Sequence, residues 1–167
     1  MREVGVDARI YSFYGNALGA PAAIGEAGVG RVLAVAEWHP NVDTQASRDF
    51  HAEFRSRFPR PEEDYQHARM QVMVEMLVAA IERAGSTEAT AVASALEGMR
   101  HDGRTLGGLH TGTMRAADHQ FIQPLVVSVM DRLGAPGVRY DNEGSGYGFR
   151  TVRSFEARQT EQPHGCT

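Results

Sequence analysis

The stretch GTMRAADHQFIQPLVVSVM, residues 112–130, decides how this chain is read. It opens on a short polar and apolar alternation, Thr113-Met114-Arg115-Ala116. An acid, a histidine and an amide follow at Asp118-His119-Gln120. Pro124 then precedes the apolar run Leu125-Val126-Val127-Ser128-Val129-Met130. A β-branched run of this kind suits a strand buried on both faces. A proline at its start removes no donor that the ladder needs. The stretch therefore predicts a strand, a polar elbow and a buried strand.

Upstream, residues 2–7 read as a helix end stopped at Gly5. Arg9-Ile10-Tyr11-Ser12-Phe13-Tyr14 is a strand by its aromatic and β-branched content. Pro21 opens a short helix over 22–27, and Val32-Leu33-Ala34-Val35-Ala36 is a second buried strand, ended by Trp38-His39-Pro40. A β-α-β order implies parallel strands joined by a right-handed crossover. It places Tyr14 and Trp38 at strand carboxyl ends, the edge where open α/β sheets bind ligands. Tyr11 and Phe13 are assigned to the core.

Three helices without an intervening strand follow. Phe50, Phe54 and Phe58 recur at four-residue steps over 47–58. Met70, Met73, Val74, Leu77 and Ile81 form an apolar stripe in a long helix over 65–84, capped by Gly85. A third helix runs from 86 to 99. The loop 103–112 holds four glycines, residues 148–155 suggest an edge strand, and 157–167 read as a polar tail.

Composition narrows the function. The net charge of −4 carries no basic stripe, which disfavours nucleic acid as a partner. No apolar run is long enough to insert in a membrane. The first seven residues lack the apolar core of a signal peptide. Cys166 is the one cysteine and has no internal partner. The seven histidines show neither His-x₃-His nor His-Glu-x-x-His spacing, so neither a metal nor another cofactor is expected. The glycines of 103–112 precede no Gly-Lys-Ser/Thr, and no Gly-x-Ser-x-Gly nucleophile is present. Asp118, His119 and Gln120 alternate faces if extended and cannot converge on one point. They are expected to serve the elbow, with no catalytic residue and no enzymatic activity.

The order of these pieces resembles the closing part of periplasmic solute-binding proteins of ABC importers, the leucine/isoleucine/valine-binding and amide/urea-binding group. The resemblance rests on Arg115-Ala116-Ala117-Asp118-His119-Gln120 before a strand, on Ile81-Glu82-Arg83-Ala84-Gly85-Ser86-Thr87 at a helix end, and on Ala95-Leu96-Glu97-Gly98-Met99 at the next. It extends to the segments 10–15 and 30–40 and spans nearly the whole chain. It implies an α/β fold of the type I periplasmic-binding-protein kind (Leu/Ile/Val-binding type), C-terminal part only, with lobe-two strands plus lobe-one helices. The segments it implies are 1–38 for lobe two, 41–104 for the lobe-one helices, 105–156 for the lobe-two return and 157–167 for the tail. All five strands, including the one near residue 114, then fall to lobe two, and the helical stripe lacks a sheet to cover it.

The function implied is capture of a small solute and its delivery to an ABC permease, periplasmic for the full-length protein. The ligand-binding residues implied are Tyr14, Gly15, Trp38 and His39, with packing the competing role for Trp38 and His39. Amino-acid-binding members carry a glutamate where Tyr14 stands. A neutral tyrosine favours an amide, carboxylate or aromatic solute over a branched-chain amino acid. The alternative is a ligand-sensing regulatory protein of the same fold, such as an amide-responsive regulator.

Overall fold

The computed structural model describes residues 8–13, 15–60, 66–104 and 110–164. The expected helix end at 2–7, Tyr14, most of the glycine-rich loop and Cys166 lie outside the described residues. The elements in chain order are β1 (Ile10–Phe13), α1 (Ala20–Ile24), a 3-10 turn (Gly25–Gly28), β2 (Val32–Ala36), α2 (Gln45–Arg57), α3 (Gln66–Ala84), α4 (Ala89–Leu96), β3 (Arg100–His101), β4 (Gly112–Met114), β5 (Phe121–Ile122), β6 (Leu125–Arg132), β7 (Tyr147–Phe155) and α5 (Ala157–Thr160).

The chain divides into two compact units. The first holds β1, α1, β2, α2, β6 and β7 up to Ser154; the second holds α3, α4, β3, β4, β5 and α5. The boundaries differ from the expected segments. Helix α2 lies with the first unit, and β4, β5 and α5 lie with the second. The strand near 114 is therefore not part of the sheet that receives β6, contrary to the expectation from sequence. Its backbone explains why: Met114 donates to Met99 O at 2.8 Å and accepts from Gly98 N at 3.0 Å, which ties it to the segment after α4.

In the first unit one sheet runs in the order β1-β2-β6-β7. β1 and β2 are parallel, with Ile10 opposite Val32 and Phe13 opposite Val35. β2 and β6 are antiparallel, with Leu33 opposite Val129 and Ala36 opposite Val126. The two apolar runs, interrupted only at Ser128, are thus the central strands, covered on both faces. Val32, Ala34, Met130 and Phe149 form a buried cluster, joined by Ile24 and Tyr147. β1 is an edge strand, and its side chains behave accordingly. Tyr11 is 64% exposed and Phe13 72%, so the core assignment of both is overturned. Two residues apart, they share one face of the strand. β7 closes the other edge, where the sequence suggested an edge strand. Helix α1 has no side-chain cap of its own. The Glu143 carboxylate accepts from Gly19 N at 2.6 Å, placing negative charge at the helix start.

In the second unit α3 packs along α4 through Ala80, Val92 and Ala95, with Ile81, Ala84, Leu96 and Met99 around them. Glu88 caps α4 by accepting from Ala91 N at 2.9 Å. Gly85 adopts φ +61°, the left-handed conformation that ends α3. β3, β4 and β5 form a small antiparallel sheet. Gly112 is required there, since a Cβ would lie 2.4 Å from the Phe121 ring. The expected polar tail instead begins with α5, whose capping box is Glu156 with Gln159.

The stripe of α3 is only partly covered. Val72, Met76 and Ala80 are buried, whereas Met70, Met73, Val74, Leu77 and Val78 are each about half exposed. Ile81 is half-buried against the α4 cluster. No helix among the described residues is long and apolar enough to cross a membrane.

Candidate functional site

Three loops of the first unit meet through asparagine side chains. The turn after β1 contributes Gly15 and Asn16, both buried. A Cβ at Gly15 would lie 3.2 Å from Ser12 Cβ, so the turn is drawn tight against its own strand. The Asn16 side chain donates to Trp38 O at 3.4 Å, and the Asn16 backbone carbonyl accepts from Asn142 Nδ2 at 2.7 Å. Asn41, three residues past Trp38, accepts from Arg139 N at 2.8 Å and Tyr140 N at 2.9 Å. It also donates to Tyr140 O at 2.8 Å and Phe149 O at 3.0 Å. One amide thus satisfies four backbone groups and fastens the β2 exit to the β6–β7 connection.

Trp38 and His39, expected to face a ligand, are enclosed by this scaffold. Trp38 is 2% exposed; its indole N–H donates to Ser47 Oγ at 2.8 Å, and its ring meets Phe50 edge-on at 5.2 Å. His39 is fully buried. Its Nδ1 accepts from Asn41 N at 3.2 Å, so the proton sits on Nε2 and is donated to Thr151 Oγ1 at 2.8 Å. Burial pushes its pKa down to about 3, and the ring is neutral at physiological pH. These residues hold the loops; neither presents a surface to solvent.

An open concavity among the described residues of this unit lies elsewhere. It is a cavity of about 250 Å³ whose lining includes His51, Arg55, Arg139, Tyr140 and Asp141. His51 stacks on Tyr140 with ring centroids 3.8 Å apart. Burial and then the Arg55 charge push the His51 pKa down. Both guanidinium groups are engaged: Arg55 donates to Arg60 O at 2.8 Å and Arg139 to Asp43 Oδ1 at 3.1 Å. Asp141 accepts from Gly146 N at 2.8 Å. Sequence reasoning passed over His51 and Tyr140, which are distant in the chain. The only sequence signal is a histidine beside the aromatic face of α2.

In the second unit the Asp118-His119-Gln120 triplet forms the elbow expected of it. Arg115 grips Asp118 with Nε at 2.8 Å and Nη2 at 2.5 Å, and reaches Gln120 Oε1 at 2.7 Å. His119, at φ +55°, turns back to Ala93 O at 3.1 Å. The hydrogen bond from Arg115 holds the Asp118 pKa down at about 2. His101 Nε2 lies 2.9 Å from Glu75 Oε2 and ties β3 to α3. Two shallow cavities of about 410 and 380 Å³ share Thr113, Ile122 and Ala157. Among the described residues no three His, Cys, Asp or Glu side chains are grouped as metal ligands.

Known proteins place this geometry in one fold. No curated protein matches the sequence. The structure is similar to a leucine-, isoleucine-, valine-, threonine- and alanine-binding protein of Brucella ovis in a closed conformation, with a TM-score of 0.74 at 20% identity over 97% of this chain and 40% of that one. It is also similar to a leucine-binding protein of Thermotoga maritima, at 0.63 and 19% over 93% and 39%. A third is a solute-binding protein of an ABC transporter from Rhodopseudomonas palustris HaA2 in complex with p-hydroxybenzoic acid, at 0.55 and 17% over 93% and 39%. This chain therefore spans about two-fifths of the length of these structures, in the type I periplasmic-binding-protein fold. The family model described as periplasmic binding protein matches residues 1–135, most of the sequence, and the chain belongs to that family.

Proposed function

We propose that this chain is the C-terminal portion of a solute-binding protein of an ABC importer, which captures a small solute and delivers it to a permease in the periplasm. The observation that carries this is the match of nearly the whole chain to two-fifths of the solved structures. The first unit corresponds to lobe two and the second to part of lobe one. No bond is made or broken; the solute is held by hydrogen bonds and packing and is released unchanged.

The ligand-facing residues proposed are Tyr14 and Gly15 at the carboxyl end of β1, the edge where such sheets bind ligands. Trp38 and His39 support that edge from behind. Their burial and complete hydrogen bonding favour this role. The ligand class is an amide, carboxylate, aromatic solute or amino acid, with the neutral Tyr14 favouring the first three. The amino-acid and p-hydroxybenzoic acid ligands of the similar structures both carry a carboxylate, which agrees with that range.

Calorimetric titration tests the reading. The chain joined to a complete first lobe is titrated with leucine, p-hydroxybenzoate and acetamide. The aromatic acid or the amide is expected to bind more tightly than leucine, and Tyr14→Ala to weaken it. Leucine as the tightest ligand, or an unchanged affinity in Tyr14→Ala, overturns the assignment.

A further inference from the structure

Helix α2 brings to the concavity of the first unit a cation that the fold only half uses. Arg55 is held by its own helix end: Nη1 donates to Phe58 O at 3.4 Å and to Arg60 O at 2.8 Å, and the guanidinium carbon stands 5.3 Å from the centre of the Phe54 ring. No carboxylate among the described residues pairs with it, and the Nε–Nη2 edge of the fork stays uncommitted. That edge presents two parallel N–H groups, the match for the two oxygens of a carboxylate.

The surroundings select the charge and the size of the ligand. Among the described residues, the cavity of about 250 Å³ sets two guanidinium groups, Arg55 and Arg139, against one carboxylate, Asp141. Arg139 also reaches Asp43, but the same carboxylate oxygen receives Arg48, so one negative charge serves two cations. The excess is felt at His51, whose pKa is lowered by burial and then by the Arg55 charge. A monoanion suits this balance, whereas a dianion is repelled more strongly by Asp141. Leu133, Pro59 and the Tyr140 ring stacked with His51 give the wall an apolar and aromatic part. The volume lies just under the range of about 300–1,000 Å³ that takes drug-sized ligands, so the ligand is small.

We propose that this cavity is a second binding site, for a small monocarboxylate with an apolar body, held in bidentate fashion by Arg55. Gly15, Trp38 and His39 are not among its described lining residues, so it is distinct from the site proposed at the β1 edge.

The test is an NMR titration of the 167-residue chain with benzoate. Saturable shifts are expected at the Arg55 side-chain Nε and at the amides of His51 and Tyr140. Benzamide, the uncharged isostere, should bind about tenfold more weakly, the loss of a charge-assisted pair. Arg55→Lys keeps the charge but not the fork and should weaken benzoate to a similar extent. Arg139→Gln changes an exposed side chain and should also weaken it; this variant decides if circular dichroism shows that Arg55→Lys disturbs the helix. Tyr14→Ala should leave the shifts and the affinity unchanged, which separates failure here from failure of the β1 assignment. No saturation at millimolar benzoate overturns the proposal. So do equal binding of benzamide, tighter binding of inorganic phosphate, full affinity in a folded Arg55→Lys, and loss of the shifts in Tyr14→Ala.

Discussion

The Nε2 of His39 lies 2.8 Å from the hydroxyl of Thr151, inside the first unit and out of reach of solvent. The other ring nitrogen accepts from Asn41 N, so the pair fixes a neutral imidazole in one tautomer. A histidine beside a tryptophan at a strand end invited a ligand-binding reading. Its neighbours make it a buried strut.

Acid should therefore weaken the first unit. Burial lowers the folded pKa of His39 from 6.5 to about 3, so the unfolded chain takes up the proton first. Its contribution is fully present above pH 6.5 and is lost as pH falls from there toward 3. The loss reaches a few kcal/mol, on the order of 1.4 per pKa unit. Urea denaturation from pH 7.5 to 4.5 should show this slope, and His39→Gln should flatten it. An equal slope in the variant assigns the effect to other groups.

Asn41→Ala removes four hydrogen bonds at once and leaves the backbone groups they served without partners, exposed at Arg139, half-buried at Tyr140 and buried at Phe149. A loss of about 2–4 kcal/mol is expected from the unsatisfied groups. Hydrogen exchange should quicken at Arg139 and Tyr140, whose amides Asn41 accepts. A loss below about 1 kcal/mol with unchanged exchange at those amides would refute its role as the fastener.

The Arg115–Asp118 pair should hold the elbow into strong acid. The Asp118 pKa is lowered from 3.8 to about 2, so the pair's contribution is present above pH 3.8 and is lost as pH falls through 2. Chemical shifts of residues 115–120 should stay native at pH 3.5 and move by pH 2. Movement at pH 4 would show that the pair is not what holds them.

The exposed face of β1 should tolerate polar change where the buried cluster of the same sheet does not. Tyr11→Ser and Phe13→Ser remove exposed rings and should alter stability by about 0.5 kcal/mol or less. Phe149→Ala empties a fully buried site and should cost about 3–5 kcal/mol. Thermal denaturation of the three variants decides; a large loss at Phe13 would mean that this face is covered in solution.

Several features were legible in the residues themselves. The runs at 32–36 and 125–130 are apolar at every position but one, Ser128, and only a central strand covers both faces, so both became the middle of the sheet. Gly85 stops α3 because a left-handed residue is cheapest as glycine. Asp118-His119-Gln120 form a turn because adjacent side chains in an extended segment diverge, and the short carboxylate finds its partner three residues away. The family, too, was legible in the order of these pieces.

The remainder depended on partners distant in the chain. Pattern marks Tyr11 and Phe13 as apolar, but only the position of β1 at the sheet edge leaves them exposed. The strand at 112–114 looked like a companion of β6, ten residues on; its hydrogen bonds go instead to Met99 and Gly98. Trp38 and His39 are enclosed because Ser47, Phe50 and Thr151 fold over them, up to 112 residues away. Local sequence determined where strands, helices and turns begin, since backbone conformation and side-chain periodicity are set by near neighbours. Which of their faces met water was decided only by the tertiary structure, because burial is a property of what packs from far along the chain.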